Sequence, residues 1–366
     1  MDNNELQPVA VPEAHWPAPP PPSKPATGIF SGRFGLRAGW GILLFIVIFA
    51  VGNVALTVPY RMAQGKSAFP KKRPAAQTAT TAPAPAPASS QNINVKQTLP
   101  GEGLGTLAVL FAGWVMSKIE GRRFRVFGVG KNRLRDFLPG AFWGLAMLSL
   151  LVGVLRATHV LVFDERVLTG GSILAFGAKW MITFALVGVL EESLTRGYLQ
   201  YTLTRGLYGM GEKIYPKNPR AVAFWSAAVI MSCVFGAGHL GNTGESAAGI
   251  TMVFLAGMVF SYALWWTGSL WWAIGFHMAW DWAQSFLYGV PDSGGLSGGR
   301  LFNTHPTGNP LLSGGATGPE GSVFVLPTML LVILVVRLTT KPGPQPELEP
   351  LTVVRGLPPE NDVVIA

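Results

Sequence analysis

Eight long apolar stretches constrain the fold of this chain more than any other feature of its sequence. A bilayer-spanning helix needs roughly 20 mostly apolar residues. Inside hydrocarbon only helices and closed barrels satisfy their backbone groups, and barrel strands alternate apolar with polar residues, whereas these runs are continuous. The sequence therefore predicts an all-α, polytopic membrane protein with about eight transmembrane helices. The stretches lie near residues 40–58, 102–117, 137–155, 175–195, 221–240, 247–266, 270–290 and 322–338.

The composition agrees with a membrane protein whose solvent is the lipid bilayer. Of the 366 residues, 49% are hydrophobic and 13% are charged, whereas soluble proteins have about 25% charged residues. The net charge of +9 is explained by basic loops on one side of a membrane, so we expect no nucleic acid partner. The single cysteine, Cys233, has no partner for an intrachain disulfide.

The distribution of basic residues predicts the orientation in the membrane. Lys and Arg are frequent before the first stretch, in the second and fourth loops and after the last stretch, and these segments share one side if there are eight spans. Because short cytoplasmic loops are rich in Lys and Arg, both termini are predicted to be cytoplasmic. The loop 59–100 disagrees, since it is basic and yet should lie outside. The composition of the whole chain, which is rich in Ala, Gly and Pro, is typical of a bacterial protein and so indicates the inner (plasma) membrane.

Pro-rich segments predict the domain organisation. Stretches such as "PAPPPPSKPA" and "TATTAPAPAPASS" have too few apolar side chains to pack. The first apolar stretch has no cleavage signature and is predicted to be an anchor. The predicted units are a disordered N-terminal tail (1–39), the anchor (40–58), a Pro/Ala-rich linker (59–100), a helical membrane domain (101–340) and a disordered C-terminal tail (341–366).

Three places interrupt the apolar stretches with side chains that can ionise. A charged side chain at the centre of a membrane helix costs roughly 2.5 to 3.5 kcal/mol. Such groups are therefore expected to face a polar interior rather than lipid. The three places are "EESLTR" with Glu191, Glu192 and Arg196, "CVFGAGHLGN" with Phe235 and His239, and "GFHMAWDW" with His277 and Asp281.

Helical spacing predicts how these side chains pair. Glu192 and Arg196 are i, i+4 neighbours, so an ion pair between them is geometrically easy. Glu191 lies about 100° round the helix from Glu192 and is expected to project into the bundle. His277 and Asp281 also share one helix face, so the carboxylate can fix the orientation of the imidazole.

Each place has a simpler interpretation. Glu192 and Arg196 would serve equally well as an interfacial salt bridge at a helix end, His239 as a wetted helix end, and His277 with Asp281 as a structural pair between helices. Their coincidence on three spans favours a shared polar cavity. A carboxylate and imidazoles in such a cavity are typical of hydrolysis.

Two other kinds of hydrolytic site are less well supported. The zinc-binding HExxH spacing is absent, so a divalent metal is not favoured and no cofactor is expected. Ser193 and Thr195 lie close to the glutamates, but no GxSxG elbow marks a serine nucleophile.

The three motifs, read in order as EExxxR, FxxxH and HxxxD, resemble those of a known family. They are similar to the CPBP family of intramembrane proteins, which includes the CAAX prenyl protease type 2 (Rce1-like) enzymes and bacterial relatives once called abortive-infection proteins. The resemblance covers roughly residues 100–290. It implies an intramembrane endopeptidase that acts on a membrane protein or a lipidated peptide without a metal.

The resemblance also implies roles for the site residues. Glu191 would activate a water, His239 would assist it, and His277 with residue 281 would stabilise the oxyanion. Arg196 would orient the glutamates, with Glu192 as a supporting acid. The best-studied members have Asn at the position of Asp281. An ionised carboxylate cannot donate to an oxyanion, so we expect Asp281 either to be protonated or, preferably, to orient His277.

The alternative functions are a non-catalytic immunity or scaffold protein of the same fold and a proton-coupled transporter.

Hydropathy places His239 near the outer end of its span and Glu191 near the inner end of the previous one. The two helices must therefore shift or break for the side chains to meet, which Gly236, Gly238 and Gly241 would permit.

Overall fold

The computed structural model describes residues 28–68, 91–242 and 244–348. These residues form a helical bundle with three small two-stranded sheets. The helices are α1 (Ala38–Ala63), α2 (Val95–Ile119), α3 (Phe137–Ala157), α4 (Gly171–Glu192), α5 (Gln200–Ile214), α6 (Pro219–Gly238), α7 (Ala247–Thr267), α8 (Trp271–Trp282), α9 (Pro310–Ser313) and α10 (Val325–Thr339). The strands are β1 (Ser31–Gly32), β2 (Gly35–Leu36), β3 (Gln91–Ile93), β4 (Leu161–Arg166), β5 (Gly295–Ser297) and β6 (Phe302–Pro306).

All eight predicted apolar stretches lie on helices. Within the described part of the chain, six helical segments are long and apolar enough to cross a membrane. The other two stretches form α8, with 12 residues, and α10, with 15 residues. The protein is therefore a polytopic helical membrane protein, as predicted. The six segments are Ala38–Ala63, Val95–Ile119, Phe124–Ala157, Gly171–Ile214, Pro219–Gly238 and Ala247–Thr267.

The boundaries of the tails and the linker differ from those that composition predicts. Residues 28–37 form a hairpin that leads into α1, and α2 begins at Val95, inside the predicted linker. Leu348 is buried, and its carbonyl accepts a 2.6 Å hydrogen bond from Arg122. Hydrogen bonds from the bundle hold these segments, which composition does not reveal. The rest of the predicted tails and linker, residues 1–27, 69–90 and 349–366, lies outside the described residues.

Close backbone contacts between α3 and α8 position the helix that carries His277. A Cβ on Gly140 would lie 2.1 Å from the Trp272 carbonyl oxygen, and one on Gly144 would lie 2.2 Å from that of Phe276. Small residues four apart let membrane helices approach closely. This GxxxG pair therefore seats α8 directly against α3.

One end of the bundle, here called the basic end, joins the N-terminal hairpin, the loop after α2, the α7–α8 turn and the C-terminal segment. Buried Glu120 pairs with Arg122 at 2.9 Å and with Arg205 of α5 at 2.7 Å. The amide of Leu270 donates to the Gly128 carbonyl at 2.9 Å, and Gly343 donates to Trp266 at 2.9 Å. These contacts place all four segments at the same end.

The opposite end, here called the strand end, is covered by residues 288–324. Strand β6 of this segment pairs antiparallel with β4, and β5 pairs parallel with β3. The hydroxyl of Thr317 also donates to the Gly244 carbonyl at 3.1 Å. The beginnings of α2, α4, α7 and α10 therefore meet at the strand end.

Candidate active site

The EExxxR motif lies in the middle of a long helical run rather than at its end. Helix α4 continues without a break through a π-helical segment, Ser193–Leu199, into α5. The whole run, Gly171–Ile214, has 44 residues. The sequence predicted that this span ends at 195, just before Arg196. π-Helical turns often occur at functional sites, and a second one, Ala283–Leu287, follows the HxxxD motif.

The predicted ion pair between Glu192 and Arg196 is confirmed, but its interfacial interpretation is wrong. Arg196 Nη1 donates to Glu192 Oε1 at 3.0 Å, and the two side chains are 1% and 0% exposed. The Arg196 guanidinium also lies 4.2 Å from the centre of the Phe235 ring on α6. The pair is therefore enclosed by protein and links α4 to α6.

His277 joins the three motif carboxylates. Its Nδ1 lies 3.2 Å from Glu192 Oε1, and its Nε2 lies 3.3 Å from Asp281 Oδ2 and 3.8 Å from Glu191 Oε2. The predicted contact between His277 and Asp281 on one helix face is thus confirmed. Because both ring nitrogens face carboxylate oxygens, the imidazole is held from two sides.

His239 follows directly after α6, and its tautomer is set by a local hydrogen bond. Its Nδ1 lies 2.9 Å from the backbone carbonyl oxygen of Phe235. A carbonyl can only accept, so Nδ1 carries the proton, and Nε2 of the neutral ring is left as an acceptor. His239 therefore has a free acceptor nitrogen for a water or a substrate.

A cavity of about 260 Å³ brings the three motifs together. Liquid water occupies about 30 Å³ per molecule, so the cavity has room for several waters or a short stretch of peptide. Its walls are largely apolar, with side chains such as Phe260, Trp280 and Met329. The motif residues that line it are Glu191, Phe235, His239, His277 and Asp281.

The expected conflict of depth between Glu191 and His239 does not arise. Glu191 is not at the end of its span, because the helical run continues for more than twenty residues beyond it to Ile214. His239 directly follows α6 at the strand end and reaches the same cavity. No break in either helix is needed. Glu192 and Arg196, in contrast, lie behind His277 and do not line the cavity.

Three further carboxyl groups of the cavity were missed by the sequence analysis. Glu102 comes from α2, and Asp292 and Glu320 come from the segment that covers the strand end. Glu102 interrupts an apolar stretch, which is a signal that sequence reading could have used. Asp292 and Glu320 lie in a Gly-rich loop without regular spacing, so no pattern connects them to the motifs.

The carboxyl groups of Asp292 and Glu320, here called the rim carboxyls, are both held by hydrogen bonds. Gln284 Nε2 donates to Glu320 Oε2 at 2.7 Å, and the Ser293 hydroxyl donates to Glu320 Oε1 at 2.9 Å. Burial, followed by the nearby Asp292 carboxyl, raises the pKa of Glu320 to about 8. Burial also raises the pKa of Asp292 well above its usual range. The rim thus retains protons that exposed carboxyls would release.

This retention predicts a pH dependence of stability. Between the ordinary pKa of 4.5 and about 8, folded Glu320 keeps a proton that the unfolded chain has released. The free energy of unfolding therefore falls as pH rises through this window. Glu320→Gln, which cannot ionise, is expected to make the melting temperature less dependent on pH, as measured by thermal unfolding in detergent.

The control for this experiment is Glu165→Gln. Glu165 is exposed on β4, so its replacement should leave the pH dependence as it is in the wild type. If the melting temperature of Glu320→Gln changed with pH as much as that of the wild type, the assignment of the retained proton to Glu320 would be contradicted.

The geometry of the donors does not fit a metal site. Among the described residues, no group of three or more His, Cys, Asp or Glu side chains is arranged to hold a metal ion. At His277, both ring nitrogens already face carboxylate oxygens at 3.2 and 3.3 Å.

Comparison with known families adds an independent observation. Residues 173–283 match the family model described as Type II CAAX prenyl endopeptidase Rce1-like. This segment is Rce1-like. No curated protein and no solved structure matches the chain. The resemblance noted from the motifs is thus confirmed for the segment that carries them.

The Rce1-like segment runs from α4 to the π-helical turn after α8, so it contains all the residues of the three motifs. The match supports a CAAX-protease-like fold and indicates peptidase activity in general. Glu102, Asp292 and Glu320 lie outside the Rce1-like segment, although they line the same cavity. The cavity therefore combines family residues with carboxyls contributed by the rest of this chain.

Proposed function

We propose that the protein is an intramembrane endopeptidase of the CAAX-protease-like type that hydrolyses a peptide bond of a membrane-associated protein. The observation that carries the proposal is the cavity that Glu191, His239 and His277 share. The family match to residues 173–283 supports the same class of reaction. The apolar walls suit a substrate that enters from a membrane, such as a membrane protein or a lipidated peptide.

Glu191 is proposed as the general base. Its side chain is 32% exposed and lines the cavity, whereas the neighbouring Glu192 is fully buried in its contacts with Arg196 and His277. Only the first glutamate of the pair can therefore reach a water in the cavity. The second holds the imidazole and the guanidinium in place.

Hydrolysis proceeds through a water held by Glu191 and His239. The acceptor Nε2 of His239 binds one hydrogen of the water, and the Glu191 carboxylate takes the other as the water oxygen attacks the carbonyl carbon. The proton then passes from Glu191 to the leaving nitrogen as the C–N bond breaks. The second hydrogen of the water leaves the new carboxyl group through Nε2 of His239 and passes to the amine, so the products are a carboxylate and a protonated amine, without any further reactant.

His277 is proposed to stabilise the negative charge that forms on the carbonyl oxygen. Asp281 Oδ2 lies 3.3 Å from its Nε2, a contact that supports an orienting role for this carboxylate. Glu192 holds the other ring nitrogen at 3.2 Å. An imidazole fixed in this way is preorganised to face a developing oxyanion.

An isotope experiment tests the proposal. The purified full-length chain is reconstituted in lipid vesicles with a library of single-span membrane peptides in water enriched in ¹⁸O. Mass spectrometry should find new C-termini whose carboxyl groups carry ¹⁸O, because the attacking oxygen comes from water. Peptides that remain uncut, while ion-driven transport or partner binding is observed, would contradict the proposal and favour a transporter or a scaffold.

A further inference from the structure

The cavity belongs to one end of the bundle. Ile93 of β3, Asn242 after α6 and Ser293 of the covering segment line it, and all three belong to the strand end. Asn242 is exposed, so the cavity communicates with solvent there.

The cavity is closed toward the basic end. Glu192 and Arg196, behind His277, have side chains that are 0% and 1% exposed. Gln200, the first residue of α5, is also fully buried. These side chains lie between the cavity and the basic end. The cavity therefore does not open toward the basic end in the part of the chain that the structure describes, whereas exposed Asn242 lines it at the strand end.

Among the residues that the structure describes, the two ends of the bundle differ in charge. At the strand end, the carboxylates of Asp164, Glu165 and Glu245 accompany the bases Arg61, Lys66, Lys96, Arg156, Arg166 and Arg300. At the basic end, exposed bases far outnumber acids. These bases are Lys118, Arg123, Arg125, Lys131, Arg135, Lys213, Lys217, Arg337 and Lys341.

Positive charge near the ends of membrane helices marks the cytoplasmic side. The basic end is then cytoplasmic, and the strand end lies on the opposite face. We propose that the cavity opens on the non-cytoplasmic face of the membrane and receives its substrate from that face. This inference rests on the proposed peptidase function. The substrate is then a membrane-protein segment or a lipidated peptide that is exposed outside the cytoplasm. Prenylated C-termini in the cytoplasm are excluded as substrates.

Sidedness can be measured without any hydrolysis assay. Cys233→Ser removes the single cysteine, and one new cysteine is then added to the full-length chain. Asn242→Cys reports the cavity, Thr169→Cys reports an exposed position at the strand end, and Lys217→Cys is the matched position at the basic end. Intact cells are treated with a membrane-impermeant maleimide before and after permeabilisation.

The cysteines at positions 242 and 169 are expected to react with the maleimide in intact cells. The cysteine at position 217 is expected to react only after permeabilisation. Reaction of position 242 only after permeabilisation would overturn the proposal, even if the enzyme cleaves peptides. Conversely, labelling of position 242 in intact cells would support the proposed orientation even if no peptide were cleaved. The orientation of the cavity and the peptidase function are therefore tested independently.

A second measurement needs no substitution. Lys213 and Lys217 are exposed near the turn between α5 and α6, so trypsin can reach them from the basic end. In right-side-out vesicles the wild-type chain should resist cleavage there, and in inside-out vesicles it should be cut. The reverse pattern would overturn the proposed sidedness.

Discussion

Glu191→Gln is expected to lower the rate of peptide hydrolysis by about 10²- to 10⁴-fold while the protein still inserts and folds. The amide has nearly the shape of the carboxylate but cannot take a proton from water. Glu191 is partly exposed and lies 3.8 Å from His277 Nε2, so its replacement removes little packing. The measurement is the cleavage rate in vesicles, together with the melting temperature.

The control is Glu212→Gln, which removes the same charge from an exposed carboxylate at the basic end. It should retain the wild-type rate. His239→Ala is expected to lose activity as Glu191→Gln does, because its acceptor nitrogen positions the same water. Wild-type cleavage in both site variants would contradict the mechanism, and an unchanged cellular phenotype would favour a scaffold.

Arg196→Met is expected to cost about 3 to 5 kcal/mol in the free energy of unfolding. The substitution leaves the fully buried Glu192 carboxylate without its 3.0 Å partner. It also removes the guanidinium from the Phe235 ring, which it contacts at 4.2 Å. Thermal or denaturant unfolding in detergent measures the loss, and His277 is expected to lose its fixed orientation as well.

The matched control is Arg33→Met. Arg33 and Glu212 form a 2.6 Å ion pair, but their side chains are 59% and 47% exposed, so solvent screens the pair. Its loss is expected to cost at most about 1 kcal/mol. The double change Arg196→Met with Glu192→Gln should recover part of the stability. Equal small losses for Arg33→Met and Arg196→Met would show that the buried pair has no special role.

Local spacing was enough to predict the pairs within single helices. Glu192 with Arg196, and His277 with Asp281, are i, i+4 neighbours, and helical geometry alone brings them together. The continuous apolar stretches likewise predicted the helices, since the bilayer leaves few other folds.

Relations between helices were harder to predict. Hydropathy ended the fourth span at 195, just before Arg196, whereas contacts with Phe235 of α6 and Phe260 of α7 bury Arg196 within a 44-residue run. Ending the span there also led to the interpretation of the Glu192–Arg196 ion pair as an interfacial salt bridge. Asp292 and Glu320 reach the cavity through a loop held by strand pairing with β3 and β4, and such long-range pairing has no local signal.

Cross-linking of paired cysteines with bifunctional thiol reagents of different lengths tests most directly whether the motifs share one cavity. In a Cys233→Ser background, Glu191→Cys is combined with His239→Cys. The control pairs Glu191→Cys with Val229→Cys, since Val229 is exposed on the outer face of α6 about 15 Å along the helix. Trypsin cuts between the positions at Lys213 and Lys217, so only a cross-link keeps the fragments together. Short reagents should join 191 to 239 and not to 229. Absence of a 191–239 link, or equal linking of both pairs, would contradict a shared cavity.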